Sequence, residues 1–257
     1  MALLTPKFGM APQQKNGFGL ATLTITTGTE ISVDCGHGRH YNLLTQANKE
    51  HNMPNWCINN VQVAGTKEFI QALAAATNDR GFCNFIKPVP AVLLETTAGS
   101  FGDADQQAAL ELQEAANVAE HGYKNWYDFC VAEWGTKWDV GGSDDCNIDV
   151  TEDTGTGKWV LNFSFDSAWS PPIEIYEAIA EAGHEIEAYY YEPGMAFCGK
   201  FSNDGGDEYY EITGNSDWVV ANIPEDVDIA MGISEDMSSW EEMETDDAVA
   251  AEADKTE

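Results

Sequence analysis

Apolar residues recur along this chain with two periods, and the period switches repeatedly between positions 56 and 212. Residues 56–64, Trp-Cys-Ile-Asn-Asn-Val-Gln-Val-Ala, read as a strand ended by Gly65. Thr66 then caps a helix, with Glu68 at its positive end and Phe69, Leu73 and Ala76 on one face. Residues 82–90 contain Lys87-Pro-Val-Pro90 and read as loop. An Ala/Gln/Glu helix with a thin apolar stripe is predicted over 103–120, on the surface, and a more aromatic helix over 123–133. Residues 146–150 and 158–165 form a hairpin across Asp153-Thr-Gly-Thr-Gly157, with Trp159, Leu161, Phe163 and Phe165 sharing one face. Ser170 caps the next helix and Pro171 opens its first turn; its face is Ile173, Tyr176, Ile179 and Ala180, and Gly183 ends it. Strands follow over 185–191, 195–201 and 208–212, the first two joined at Pro193-Gly194.

The order is β-α-(α-α)-β-β-α-β-β-β. Without the extra helix pair it is β-α-β-β-α-β with added edge strands. That predicts an α+β fold of the ferredoxin-like, or split βαβ, kind: one antiparallel sheet with helices on one face. Composition divides the chain into an N-terminal extension over 1–52, this domain over 53–222 and a tail over 223–257. In the extension, residues 20–26 and 30–34 alternate around Gly28 and suggest a β-hairpin. From Pro224 on, thirteen acids face the single Lys255, so the tail is expected to be disordered or weakly helical.

Charge narrows the choice of partner. Lys and Arg total 12 against 44 acids, a formal net charge of -32. Binding a bare nucleic-acid backbone needs a surplus of bases facing the phosphates, and an anionic membrane needs the same, so neither is expected as partner. No run of about 18 apolar residues occurs, and the first nineteen residues do not read as a signal peptide. The six cysteines, at 35, 57, 83, 130, 146 and 198, form no C-x-x-C pair and read as reduced, buried small hydrophobes. Cys35-Gly-His-Gly-Arg-His40 is the one Cys/His cluster, but it lacks a defined fourth ligand. No metal and no cofactor is expected. Phosphate-binding glycine loops, the G-x-S-x-G elbow and H-E-x-x-H are all absent from the sequence.

Four motifs carry a resemblance: Met53-Pro-Asn-Trp-Cys-Ile-Asn-Asn-Val61, Trp134-Gly-Thr-Lys-Trp-Asp139, Phe165-Asp-Ser-Ala-Trp-Ser-Pro-Pro172 and Tyr191-Glu-Pro-Gly194. Together, over roughly residues 53–212, they resemble a family borne by bacteriophages and plasmids whose module is the YubB ferredoxin-like domain. The resemblance implies the fold and a mobile-element origin, hence a host-cytoplasmic location. It implies no reaction, since the family is of unknown function.

Candidate binding residues follow from the densest aromatic and charged positions. Trp134, Lys137, Trp138 and Asp139 lie in one motif; in a strand, Lys137 and Asp139 share one face and Thr136 and Trp138 the other. Trp is enriched in binding hot spots, whereas the alternative is a Trp pair in the core beside a surface ion pair. Trp169 is a further candidate, or else a staple over the helix start, and Glu192 stands in the last motif. Glu133, Asp139, Asp166 and Glu192 lie beside the motifs and could converge, but sequence fixes no separation between them. No catalytic residue is assigned. The expectation is a non-enzymatic accessory protein that binds a host or phage protein, with acidic mimicry of DNA or anti-defence action as one version. A virion component and an enzyme with an unrecognised carboxylate site are the alternatives.

Overall fold

The computed structural model describes residues 55–142 and 146–244 in full, the backbone of a helix as far as 253, and two short strands nearer the N-terminus. These strands, β1 (Ser32–Asp34) and β2 (His40–Asn42), pair antiparallel within a separate unit, Met1–Asn52. The expected hairpin partner at 20–26 and the residues between the two strands, including Cys35 and His37, lie outside the described residues.

The second unit, Met53–Glu257, is built on β3 (Trp56–Gly65). Its alternation of exposed and buried positions is what the sequence period of two demands. Next come α1 (Lys67–Asn78), α2 (Phe82–Ile86), α3 (Ala91–Leu94), α4 (Ala104–His121) and α5 (Trp126–Glu133). The hairpin β4 (Asn147–Asp153) and β5 (Lys158–Ala168) leads to α6 (Ile173–Glu181), then β6 (Glu185–Glu192), β7 (Phe197–Ser202) and β8 (Gly206–Glu211). The sheet order is β4-β5-β3-β6-β7-β8, with every neighbouring pair antiparallel. Its first four strands with α1 and α6 are the predicted split βαβ arrangement, extended at one edge by β7 and β8. The predicted loop at 82–90 contains α2 in its first half.

The core lies between this sheet and α1, α2, α5 and α6. Val61 and Val63 of β3 stand opposite Phe163 and Leu161 of β5 and meet Ile70, Leu73, Ile175 and Ile179 from the helices. Each such buried aliphatic side chain contributes about 2 kcal/mol. One polar network is sealed inside. Asn59 Nδ2 donates to the Cys57 carbonyl (2.8 Å) and to Ser167 Oγ (2.9 Å), and Tyr176 Oη donates to Asn59 Oδ1 (3.0 Å). Its buried polar atoms are therefore paired, and the network ties α6 to β3 and β5.

The segment after 222 departs from the expected tail. Here α7 (Ser216–Asn222), α8 (Glu225–Met231) and α9 (Ile233–Ala253) follow one another. Val219, Ile223, Val227 and Ile233 are buried with Cys198 and Ile212, against Tyr189 and Tyr191. These are the outward positions of β6 and β7, so a second helical layer covers that part of the opposite sheet face. Asn60 Nδ2 donates to the Ala230 carbonyl (3.0 Å), and Lys200 pairs with Asp226 (2.9 Å). Counting acids hid the widely spaced apolar positions that dock this stretch. The expected boundary at 222 thus falls inside a packed layer.

His184 lies flat on Phe69 with ring centroids 3.6 Å apart. Burial pushes its pKa below the usual 6.5. The fold therefore favours the neutral ring, and this contribution to stability is present above about pH 6.5 and lost as pH falls through the lowered value. His184→Phe should flatten the pH dependence of urea stability between about pH 7 and pH 5, where His ordinarily gains its charge. A second expectation concerns Gly199, where an added Cβ would fall on Tyr190 Oη and the Glu208 carbonyl oxygen. Gly199→Ala should cost about 1–3 kcal/mol by overpacking, read from the urea midpoint at unchanged slope.

Candidate aromatic binding cleft

The Trp-Gly-Thr-Lys-Trp-Asp motif is a loop, not the strand its spacing suggests. Gly135 takes φ +78°, and Gly141 and Gly142 both take φ +106°, conformations that end strand pairing. Three anchors hold the loop. Trp134 is buried against Phe129 and donates its indole N–H to the Lys87 carbonyl at 2.8 Å. Thr136 is buried and donates Oγ1 to the Ala168 carbonyl at 3.0 Å. Asp139 accepts backbone N–H bonds from Cys83 (2.8 Å), Asn84 (3.0 Å) and Val140 (2.9 Å), so it caps the start of α2. Burial pushes its carboxyl pKa up while these amides pull it down, and burial prevails. Trp134 and Asp139 are thus structural, and the surface ion pair expected between Lys137 and Asp139 is replaced by separate partners.

Between the anchors Lys137 and Trp138 face outward. The Lys137 ammonium stands 4.5 Å from the Trp138 ring, 5.1 Å from Trp169 and 5.9 Å from Tyr127. Trp138 and Trp169 remain 40% and 41% exposed, and Trp56, 45% exposed, tilts against Trp138 at 6.1 Å. A cleft of about 620 Å³ opens here, lined by Trp126, Tyr127, Lys137, Trp138 and Trp169, with Lys124, Glu114 and Asp128 at its polar positions. Asn125, capping α5 through the amides of Tyr127 and Asp128, fixes the aromatic pair Trp126 and Tyr127 at the cleft wall. The arrangement is a stacking surface around a cation already seated on its rings.

Trp169 sits at φ +70°, its N–H donating to the Asn55 carbonyl (2.8 Å), and it lines the cleft. Ser170 does not cap α6; its hydroxyl donates to the Gly135 carbonyl, and Pro172 occupies the N-cap position. Glu192 is buried and closes the turn after β6, accepting from the amides of Gly194 (3.0 Å) and Met195. It is a turn residue and takes no part in the cleft.

The acids beside the motifs serve separate local ends. Glu133 accepts from Tyr123 Oη and Lys87, and these bonds, the tyrosine's above all, hold its pKa below the usual range. Among the described residues no group of three or more His, Cys, Asp or Glu is placed to hold a metal ion. Cys57, Cys83, Cys130 and Cys198 are buried free thiols, and burial pushes Cys130 and Cys198 up to about 12. Such thiols are not nucleophiles at neutral pH.

Sequence reasoning found Lys137, Trp138 and Trp169 but missed Trp56, Trp126, Tyr127 and Lys124. Trp56 gave one usable signal, an outward position on β3; the others converge only through the α4–α5 turn.

Residues 147–229 match a family model described as a ferredoxin-like domain in Api92-like protein. That stretch runs from β4 into α8, and so takes in the start of the acidic helical layer as well as Trp169. The crystal structure of a protein api92 from Yersinia pseudotuberculosis is similar over 63% of this chain and 99% of that chain, at 13% identity and a TM-score of 0.30. No curated protein matches the chain.

The anchors and the outward rings should separate in stability measurements. Asp139→Ala should lower unfolding free energy by about 1–2 kcal/mol through loss of a cap. Trp138→Ala should change it by less than about 0.5 kcal/mol, as an exposed position does.

Proposed function

We propose that this protein is a non-enzymatic accessory protein of a mobile element that binds a host protein through the aromatic cleft. One observation carries the reading: Lys137 lies over Trp138 and Trp169 while both rings stay about two-fifths exposed. Large aromatic groups held rigid and open lose little conformational entropy on binding, and they desolvate well; such residues dominate binding energy at protein interfaces. The cleft sits on a loop fastened at Trp134, Thr136 and Asp139, which supplies the rigidity. The mobile-element origin and host-cytoplasmic setting come from the family resemblance of the four motifs.

A second reading, acidic mimicry of DNA, draws on the net charge of -32. It uses a different surface and a different force, so salt separates the two. The test is affinity capture from host lysate at low and high salt, followed by quantitative binding of the captured protein to variants. Cleft binding predicts capture that persists at high salt, and a loss of about 2 kcal/mol in affinity for Trp138→Ala, the scale of a hot-spot residue. Capture abolished by salt and indifferent to Trp138→Ala would favour mimicry and overturn the cleft reading.

A further inference from the structure

Beside the aromatic cleft, on the other side of Trp169, lies a second cleft of about 320 Å³ with the opposite chemistry. Its walls are Trp169, Phe197 and Tyr209, and its charged groups are Glu174 and Asp207; the lining includes no Lys, Arg or His. Phe197 and Tyr209 stand 5.3 Å apart and form one aromatic side. Asp207 accepts from Tyr190 Oη at 2.7 Å. Glu174 Oε2 is buried with no hydrogen-bond partner, the one such side-chain atom among the described residues. Gly135 makes its position possible, since a Cβ there would fall on that oxygen. Burial raises the pKa of both carboxyls; at Glu174 the charges of Glu177 and Asp207 raise it further, and that of Lys87 lowers it. Two carboxyls in a lining that holds no base, one of them with an unpartnered buried oxygen, stand beside aromatic faces, and that combination suits a cation.

We propose that this second cleft is a binding site for an arginine side chain presented by the partner protein. The inference rests on the partner-binding reading and names the group the partner brings. A guanidinium is planar, always charged and weakly hydrated, so it can stack on Trp169 or Tyr209 while donating to Glu174 and Asp207 at once. Trp169 borders both clefts, one holding Lys137 at 5.1 Å from its ring and the other holding the two acids.

The test is a titration of the full isotope-labelled chain with N-acetyl-arginine methylamide, followed by amide and indole NMR signals. The neutral citrulline analogue and spermidine serve as comparison probes. Saturable shifts at the Trp169 indole and the Gly135 amide are expected with the arginine probe and not with citrulline. Glu174→Gln and Asp207→Asn should each weaken the arginine probe by about tenfold, as removal of a charge-assisted bond does, with spectral dispersion retained. Two variants are used so that a loss of fold in one leaves the other decisive. Trp138→Ala should leave this titration unchanged, so a failed host capture and a failed arginine site are separately visible. Absence of shifts up to the probe's solubility limit would overturn the inference. Equal shifts with citrulline would do the same, and saturation by spermidine well below the arginine probe would assign the cleft to a free polyamine instead.

Discussion

The fastening of the loop between α5 and β4 is the constraint on which the rest of this surface depends. Trp134 reaches into the core and bonds the Lys87 carbonyl, Thr136 bonds the end of β5, and Asp139 ties down the first amides of α2. A loop free of these bonds would bury Trp138 or let it wander, because exposed apolar area is unfavourable in water. With both ends fixed, Lys137 and Trp138 have nowhere to go but outward, where Trp169 and Tyr127 meet them. The left-handed backbone at Trp169 belongs to the same surface, since this residue lines both clefts.

The fold itself was largely written in the alternation of side chains. Trp159, Leu161, Phe163 and Phe165 share a face as expected, and three of them, Leu161, Phe163 and Phe165, are fully in the core. The loop defeated the same reasoning because its pattern of large and polar residues imitates a strand, while its glycines take φ values that no strand continues through. Ser170 before two prolines has the spacing of a cap, yet its hydroxyl finds the Gly135 carbonyl first. Neither outcome depends on local propensity; both depend on what the rest of the chain brings within reach. Glu192 shows the same limit, since its burial under its own turn leaves no trace in the neighbouring residues.

The acidic end illustrates how charge can mask packing. Val227 and Ile233 stand among carboxylates, and an average over the segment reads as solvent-loving. Periodicity rather than the average decides, because a few buried side chains on a bare sheet face suffice to dock a helix that is polar elsewhere. Lys200 then becomes valuable: in a chain so short of bases, it holds α8 to β7 through Asp226, whose pKa it lowers.

The claim that binding belongs to the fastened aromatic loop is most directly tested by hydrogen-exchange footprinting of the full chain with its captured partner. New protection is expected, centred on residues 124–128, 135–139 and 167–171, with little change across 224–244. Protection confined to the acidic helices, with the loop exchanging as it does in the free protein, would contradict it.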